Sequence, residues 1–146
     1  MPDFLLQVAG LFDKRYRDMG DDSHAEVVAA ALERQERAVT VTIPLNGSLS
    51  EEIDVSGYAM GTLYMPAEWT AASIGVKGAP ATGGTFLPLY DESGALVQVS
   101  SPAASKAYTL PARALAGGFI KLWSQNGAGT DTNQAAARTI TVVLKA

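Results

Sequence analysis

From residue 38 onward, apolar and polar side chains alternate with a period of two, the spacing that sends neighbours to opposite faces of a sheet. Val39, Val41, Ile43 and Leu45 alternate with Thr40, Thr42 and Pro44. Across a turn holding Asn46-Gly47, Leu49, Ile53 and Val55 alternate with Ser50, Glu52 and Asp54. Ile140, Val142 and Leu144 repeat the pattern near the C-terminus. With the segments 58–65, 72–77, 85–90, 95–99, 106–110 and 118–124, this predicts nine short strands separated by Gly, Pro, Ser and Asp turns. Many short, evenly spaced strands indicate an antiparallel sandwich or barrel. Ser93-Gly94, after Asp91-Glu92, predicts a hairpin joining Phe86–Tyr90 to Ala95–Val99.

Helical signals are few. Pro66–Thr70 and Pro111–Leu115 each begin with proline, which suits the first position of a single helical turn. Both follow a predicted strand, and they read as loop helices plugging an end of the sandwich. Upstream, Ser23-His24-Ala25-Glu26 has capping-box spacing, with Val28, Ala29 and Leu32 following at helical intervals. That predicts a helix over 24–36, with Glu33 and Arg37 as an i,i+4 pair. The spacing of Phe4, Val8, Leu11 and Phe12 predicts one face of a second short helix.

Composition divides the chain near residue 38. Residues 1–37 hold five of the eleven Lys and Arg residues and eight of the fifteen Asp and Glu residues. The rest is rich in Thr, Gly, Ala, Ser and Val. The expected organisation is an N-terminal arm, 1–37, followed by a β domain, 38–146. At 146 residues the chain buries roughly 70% of its unfolded surface on folding. A net charge of −4, with Lys77, Lys106, Arg113, Lys121, Arg138 and Lys145 scattered along the β domain, argues against a nucleic-acid partner. The absence of cysteine excludes disulfides, thiolate zinc sites and thiol catalysis. The apolar start, Met1–Phe12, lacks a basic n-region and carries Asp3, so it does not read as a signal peptide. Nothing approaches the ~20 apolar residues of a membrane span. A soluble protein made without export is expected.

Candidate chemistry is sparse. Gly127-Ala128-Gly129-Thr130 has neither the Lys-Ser/Thr pair of a phosphate loop nor a following helix in a βαβ unit, and it runs on into a strand. Asp131 and Asn133 are expected to bond nearby backbone in that loop. His24, the single histidine, lies in the arm beside Asp21 and Asp22, away from any packed serine. Glu51-Glu52 and Asp91-Glu92 are adjacent carboxylates, not a pair facing each other across a substrate. Asp91 reads as a turn former. No cofactor and no metal are expected. Trp69 and Trp123 are the aromatics suited to ligand stacking or an interface. With Ile120 and Leu122 facing the core, Trp123 falls on the opposite sheet face, exposed or covered by a neighbour.

Several segments together resemble a group of small virion proteins of tailed phages. They are the Pro-Ala-Glu-Trp-Thr run at 66–70, Leu89-Tyr90-Asp91 before a Gly turn, Ile120-Lys121-Leu122, and Gln134-Ala-Ala-Ala-Arg-Thr139 leading into the last strand. The resemblance spans about residues 58–144. Related chains often carry Arg at the place of Trp123, and Gly directly after Ser124. It implies a jelly-roll-like antiparallel β-sandwich and a non-enzymatic structural role in the virion, with assembly in the host cytoplasm. The implied partners are other virion proteins, and the implied self-association is a trimer or a higher ring. Capsid decoration or cementing through the arm is the leading expectation, with Phe4, Leu5, Val8, Leu11 and Phe12 as apolar anchors. A tail, neck or fibre-attachment component and a carbohydrate-binding module for host recognition are the alternatives. On this view the loop at 124–139 is a small-residue connection on a scaffold.

Overall fold

The computed structural model describes residues 35–146. Nine strands follow in order: β1 (Glu36–Ile43), β2 (Leu49–Asp54), β3 (Met60–Tyr64), β4 (Ser73–Ala79), β5 (Leu87–Pro88), β6 (Gln98–Val99), β7 (Ala107–Thr109), β8 (Phe119–Gln125) and β9 (Arg138–Lys145). All pairings are antiparallel. One sheet runs β1-β9-β3-β7; the other runs β2-β8-β4-β5, with β6 also paired to β4. The order has a simple origin. A long hairpin that pairs β1 with β9, β2 with β8, β3 with β7 and β4 with β5, then rolls up, brings β9 beside β3 and β8 beside β4. The domain is a jelly-roll sandwich, as expected.

The period-two pattern fills the space between the sheets. Val41 and Ile43 of β1, Leu63 of β3, Ile74 and Val76 of β4, Ile120 and Leu122 of β8, and Ile140, Val142 and Leu144 of β9 are buried together. Their alternate neighbours, Thr40 of β1 and Thr139 of β9, face outward and are exposed. Such interdigitated inner faces are what holds a sandwich, each fully buried aliphatic side chain contributing about 1.5–3 kcal/mol.

Three local expectations need correction. Pro66–Thr70 is an irregular segment, not a helical turn; Trp69 packs against the core there, and its indole N–H donates to the Ala72 carbonyl at 3.1 Å. Only the second proline-led segment is helical, a 3-10 helix over Ala112–Gly117 that buries Ala114 and Leu115 and ends at Gly118 with φ 81°. In β2 the strict alternation fails because the register shifts between Leu49 and Glu52. Ser50 is buried in that bulge, its hydroxyl accepting from Leu122 N at 2.9 Å and donating to the Glu51 carbonyl at 2.8 Å. Finally, Glu36 and Arg37, assigned to the upstream helix and its ion pair, are the first residues of β1. Gln35 is not helical either, and the rest of the expected helix, 24–34 with His24 and Glu33, falls outside the described residues.

The hairpin at Ser93-Gly94 is present. Tyr90 and Leu96 bridge across it, Gly94 has φ 85°, and one oxygen of Asp91 accepts from Ser93 N, Ser93 Oγ and Ala95 N.

Candidate functional site

β8 and β9 belong to opposite sheets, so the segment between them, 126–137, is a crossover at one end of the sandwich. It does two things there. First, it covers Trp123. The ring lies on the outer face of β8 but is only 2% exposed. Its Nε1 donates to Asp131 Oδ1 at 2.7 Å, and the Lys77 ammonium sits 4.6 Å from the ring centroid. Gly129 and Gly75 leave no Cβ where the ring packs: a Cβ on Gly75 would lie 3.0 Å from Trp123 Cε3. Trp123 is therefore not a stacking platform, since its polar edge is satisfied and its faces are occupied. Trp69 is half-buried with its N–H already bonded, so it offers little more.

The loop's own backbone is held by amides from the strand end. Gln125 Oε1 accepts from Gly127 N at 2.5 Å and Gly129 N at 3.1 Å, while Gln125 Nε2 donates to Gln98 Oε1 at 2.6 Å. Asn126 Oδ1 accepts from Ala128 N and Thr130 N. The backbone-bonding role expected of Asp131 falls to Gln125 and Asn126, and Asp131 instead serves the indole.

Second, the crossover carries Gln134, which is fully buried. Its Oε1 accepts from Thr70 N at 3.0 Å and Arg138 Nε at 3.2 Å. Its Nε2 donates to Thr70 O at 3.1 Å and Ser124 Oγ at 2.9 Å, and its backbone bonds both Asn46 and Gly47. Arg138 adds a bond from Nη2 to Thr70 Oγ1 and an ion pair to Glu68 at 3.7 Å. Two motifs 64 residues apart in sequence thus form one fully bonded polar joint. A buried amide with every donor and acceptor used specifies geometry and has no capacity left for chemistry.

The carboxylates are similarly committed. Glu52 accepts from Gly83 N at 2.9 Å and from the Thr82 hydroxyl, and the Gly83 bond, with that hydroxyl next, holds its pKa below the ordinary range. Asp91 is held low first by the Ser93 side chain, and Glu92 by the bidentate pair with Arg113 at 3.1 Å. A general acid needs the opposite shift. Among the described residues no three His, Cys, Asp or Glu side chains gather as metal ligands, and no helix is long and apolar enough to cross a membrane.

Two outer sheet faces are left as surfaces. On the four-stranded sheet, register aligns Thr42 with Thr139, Thr40 with Thr141 and Tyr64, and Ala38 with Val143, Thr62 and Thr109. These rows carry no charge; beyond them, at one margin of the face, Glu36 and Lys145 form an ion pair 3.4 Å apart. Met60 and Tyr64 are about half exposed, and a hollow of about 280 Å3 opens beside Met60, Thr62, Thr109, Val143 and Lys145. On the other sheet, Lys77 and Lys121 stand directly opposite each other on β4 and β8. Cations scattered in sequence are paired by register. The proposed arm anchors, Phe4, Leu5, Val8, Leu11 and Phe12, lie outside the described residues.

No family model and no curated protein matches this chain. Among solved structures, the SPBc2 prophage-derived protein YomS superposes with a TM-score of 0.50 at 11% identity, covering 78% of this chain and 96% of that one. The likeness is one of fold.

Proposed function

We propose that this chain is a non-enzymatic structural protein of a tailed-phage virion, most simply a capsid decoration or cementing protein that docks through its arm and associates with copies of itself. The observation that carries the reading is the outer face of the four-stranded sheet, whose central rows carry no charge and on which Met60 and Tyr64 are exposed. Rows without charge lose little on desolvation and suit burial against a neighbouring protein. Two further observations agree. The residues that carry the sequence resemblance, Thr70, Gln134 and Arg138, are joined in a scaffold element. The fold is shared with a prophage-derived protein.

The test is sedimentation of purified protein with empty capsid shells and, separately, with isolated tails. Full-length chain is compared with a deletion of residues 1–34 and with Thr62→Lys, which plants a charge in the face. Saturable binding to shells, lost on deletion and weakened by the substitution, is the expected result. Binding to tails alone moves the assignment to a tail, neck or fibre-attachment component, and binding to neither overturns the virion reading. The carbohydrate-binding alternative gains no support from the covered ring of Trp123.

A further inference from the structure

We infer that the outer face of the second sheet, centred on Lys77 and Lys121, is a docking site for a carboxylate-bearing segment of a partner protein. The starting point is the register that sets these two lysines directly opposite each other on neighbouring strands. Like charges in that position repel, because opposed side chains lie about 5 Å apart at Cβ. An isolated sheet gains nothing from such a pair.

The fold holds the two ammonium groups in place. Lys77 Nζ lies 4.6 Å from the Trp123 ring centroid and Lys121 Nζ 4.7 Å from that of Phe86. An aromatic face attracts a cation without neutralising it and occupies only one side of the ammonium, whose three N–H donors point in different directions. Both lysines stay part-exposed. Trp123 is fixed by Asp131 and by the glycine at 75, so the ring beneath Lys77 is rigid.

Neutralisation from within the domain is incomplete. Arg113, Arg138 and Lys145 each have a carboxylate within 4 Å, whereas Lys77 and Lys121 form no such pair among the described residues. The acid opposite Lys121 is Glu52. Its attraction to Lys121 is real, but its oxygens are engaged by Thr82 and Gly83. The result is a pair of pre-positioned cations with free donor capacity on a sheet face.

Charge complementarity selects the occupant. The chain as a whole carries −4, which disfavours the long-range approach of a polyanion such as nucleic acid or an anionic membrane. Two cations side by side instead match one or two carboxylates presented at short range by a protein strand or loop. The inference does not need the virion reading, since an acidic partner of any origin satisfies it.

The experiment is an NMR titration of full-length protein with an acetylated, amidated Ser-Glu-Ser-Glu-Ser peptide, which presents two carboxylates, following the lysine side-chain Cε–Hε signals. Ring currents from Trp123 and Phe86 make those of Lys77 and Lys121 distinct. Saturable shifts at these two lysines, absent at Lys106 and Lys145, are expected. Lys77→Gln with Lys121→Gln weakens binding by about tenfold or more, while the double arginine variant retains it. The glutamine variant removes a repulsion and is expected to fold, which its amide spectrum checks. Equal shifts at every lysine, or unchanged affinity in the glutamine variant, overturns the inference. So does tighter binding to phosphatidylglycerol vesicles or to a single-stranded oligonucleotide than to the peptide.

Discussion

The indole nitrogen of Trp123 donates to Asp131 at 2.7 Å, so that an exposed loop residue satisfies a buried ring from the far strand end. Replacing Asp131 with Ala leaves a buried N–H without its acceptor. The expected loss is about 1–2 kcal/mol of stability, within the usual penalty for an unsatisfied buried donor. Urea denaturation measures it, and a red-shifted tryptophan emission in the native variant reports water reaching the ring.

Gln134 is a harsher test. In Gln134→Leu the volume is nearly kept, but the N–H and C=O of Thr70 and the Arg138 Nε lose their partner. About 3 kcal/mol of destabilisation is expected, since several groups are stranded together. Chemical denaturation checks this, with protection of the Thr70 amide from hydrogen exchange falling more than that of β4.

Gly75 faces Trp123 and Gln125 at the centre of β4. A Cβ there lies 3.0 Å from the ring and 3.2 Å from Gln125 Nε2. Gly75→Ala is expected to cost about 1–3 kcal/mol through overpacking, against the small gain in chain stiffness that alanine otherwise brings. The midpoint of thermal unfolding decides the sign.

Acid weakens the Asp91 turn in a defined direction. Hydrogen bonds from Ser93 and Ala95 lower the pKa of Asp91 in the folded state. A lowered folded pKa gives stability that is complete above the unfolded value of about 3.9 and is lost as pH falls through the folded one. Glu52 and Glu92 shift in the same direction. Stability is therefore expected to be flat from pH 7 to about 5 and to fall below about 4, with a shallower fall in Asp91→Asn. Urea midpoints across that range are the measurement.

The alternation of Val39, Val41 and Ile43, and of Ile140, Val142 and Leu144, made the sandwich legible, because burying one face of a strand leaves a period of two in the sequence. Asp91 was legible for a related reason: its bonds are local, to residues two and four positions on. What escaped depends on long-range register. Nothing near Lys77 announces Lys121, and nothing near Thr70 announces Gln134, since those distances are set by strand pairing. Trp123 shows the limit from the other side. Periodicity placed it on the outer face correctly, but whether that face is open was decided by a loop whose path no local pattern encodes. Pro66–Thr70 failed as a helix because Thr70 found its backbone partners in Gln134 rather than within its own turn.

The pairing of β1 with β9, Glu36 against Lys145 and Ile43 against Arg138, also sets the order of events as the chain is made. At about 5–20 residues per second, synthesis needs several seconds to travel from one strand to the other. During that interval β1 has no partner in its sheet, and its valines and isoleucine are exposed to other nascent chains. The contacts it awaits are among the most distant in sequence that the domain offers, a topology that folds slowly. Shielding those few residues until the last strand arrives is then expected to raise the yield of folded protein.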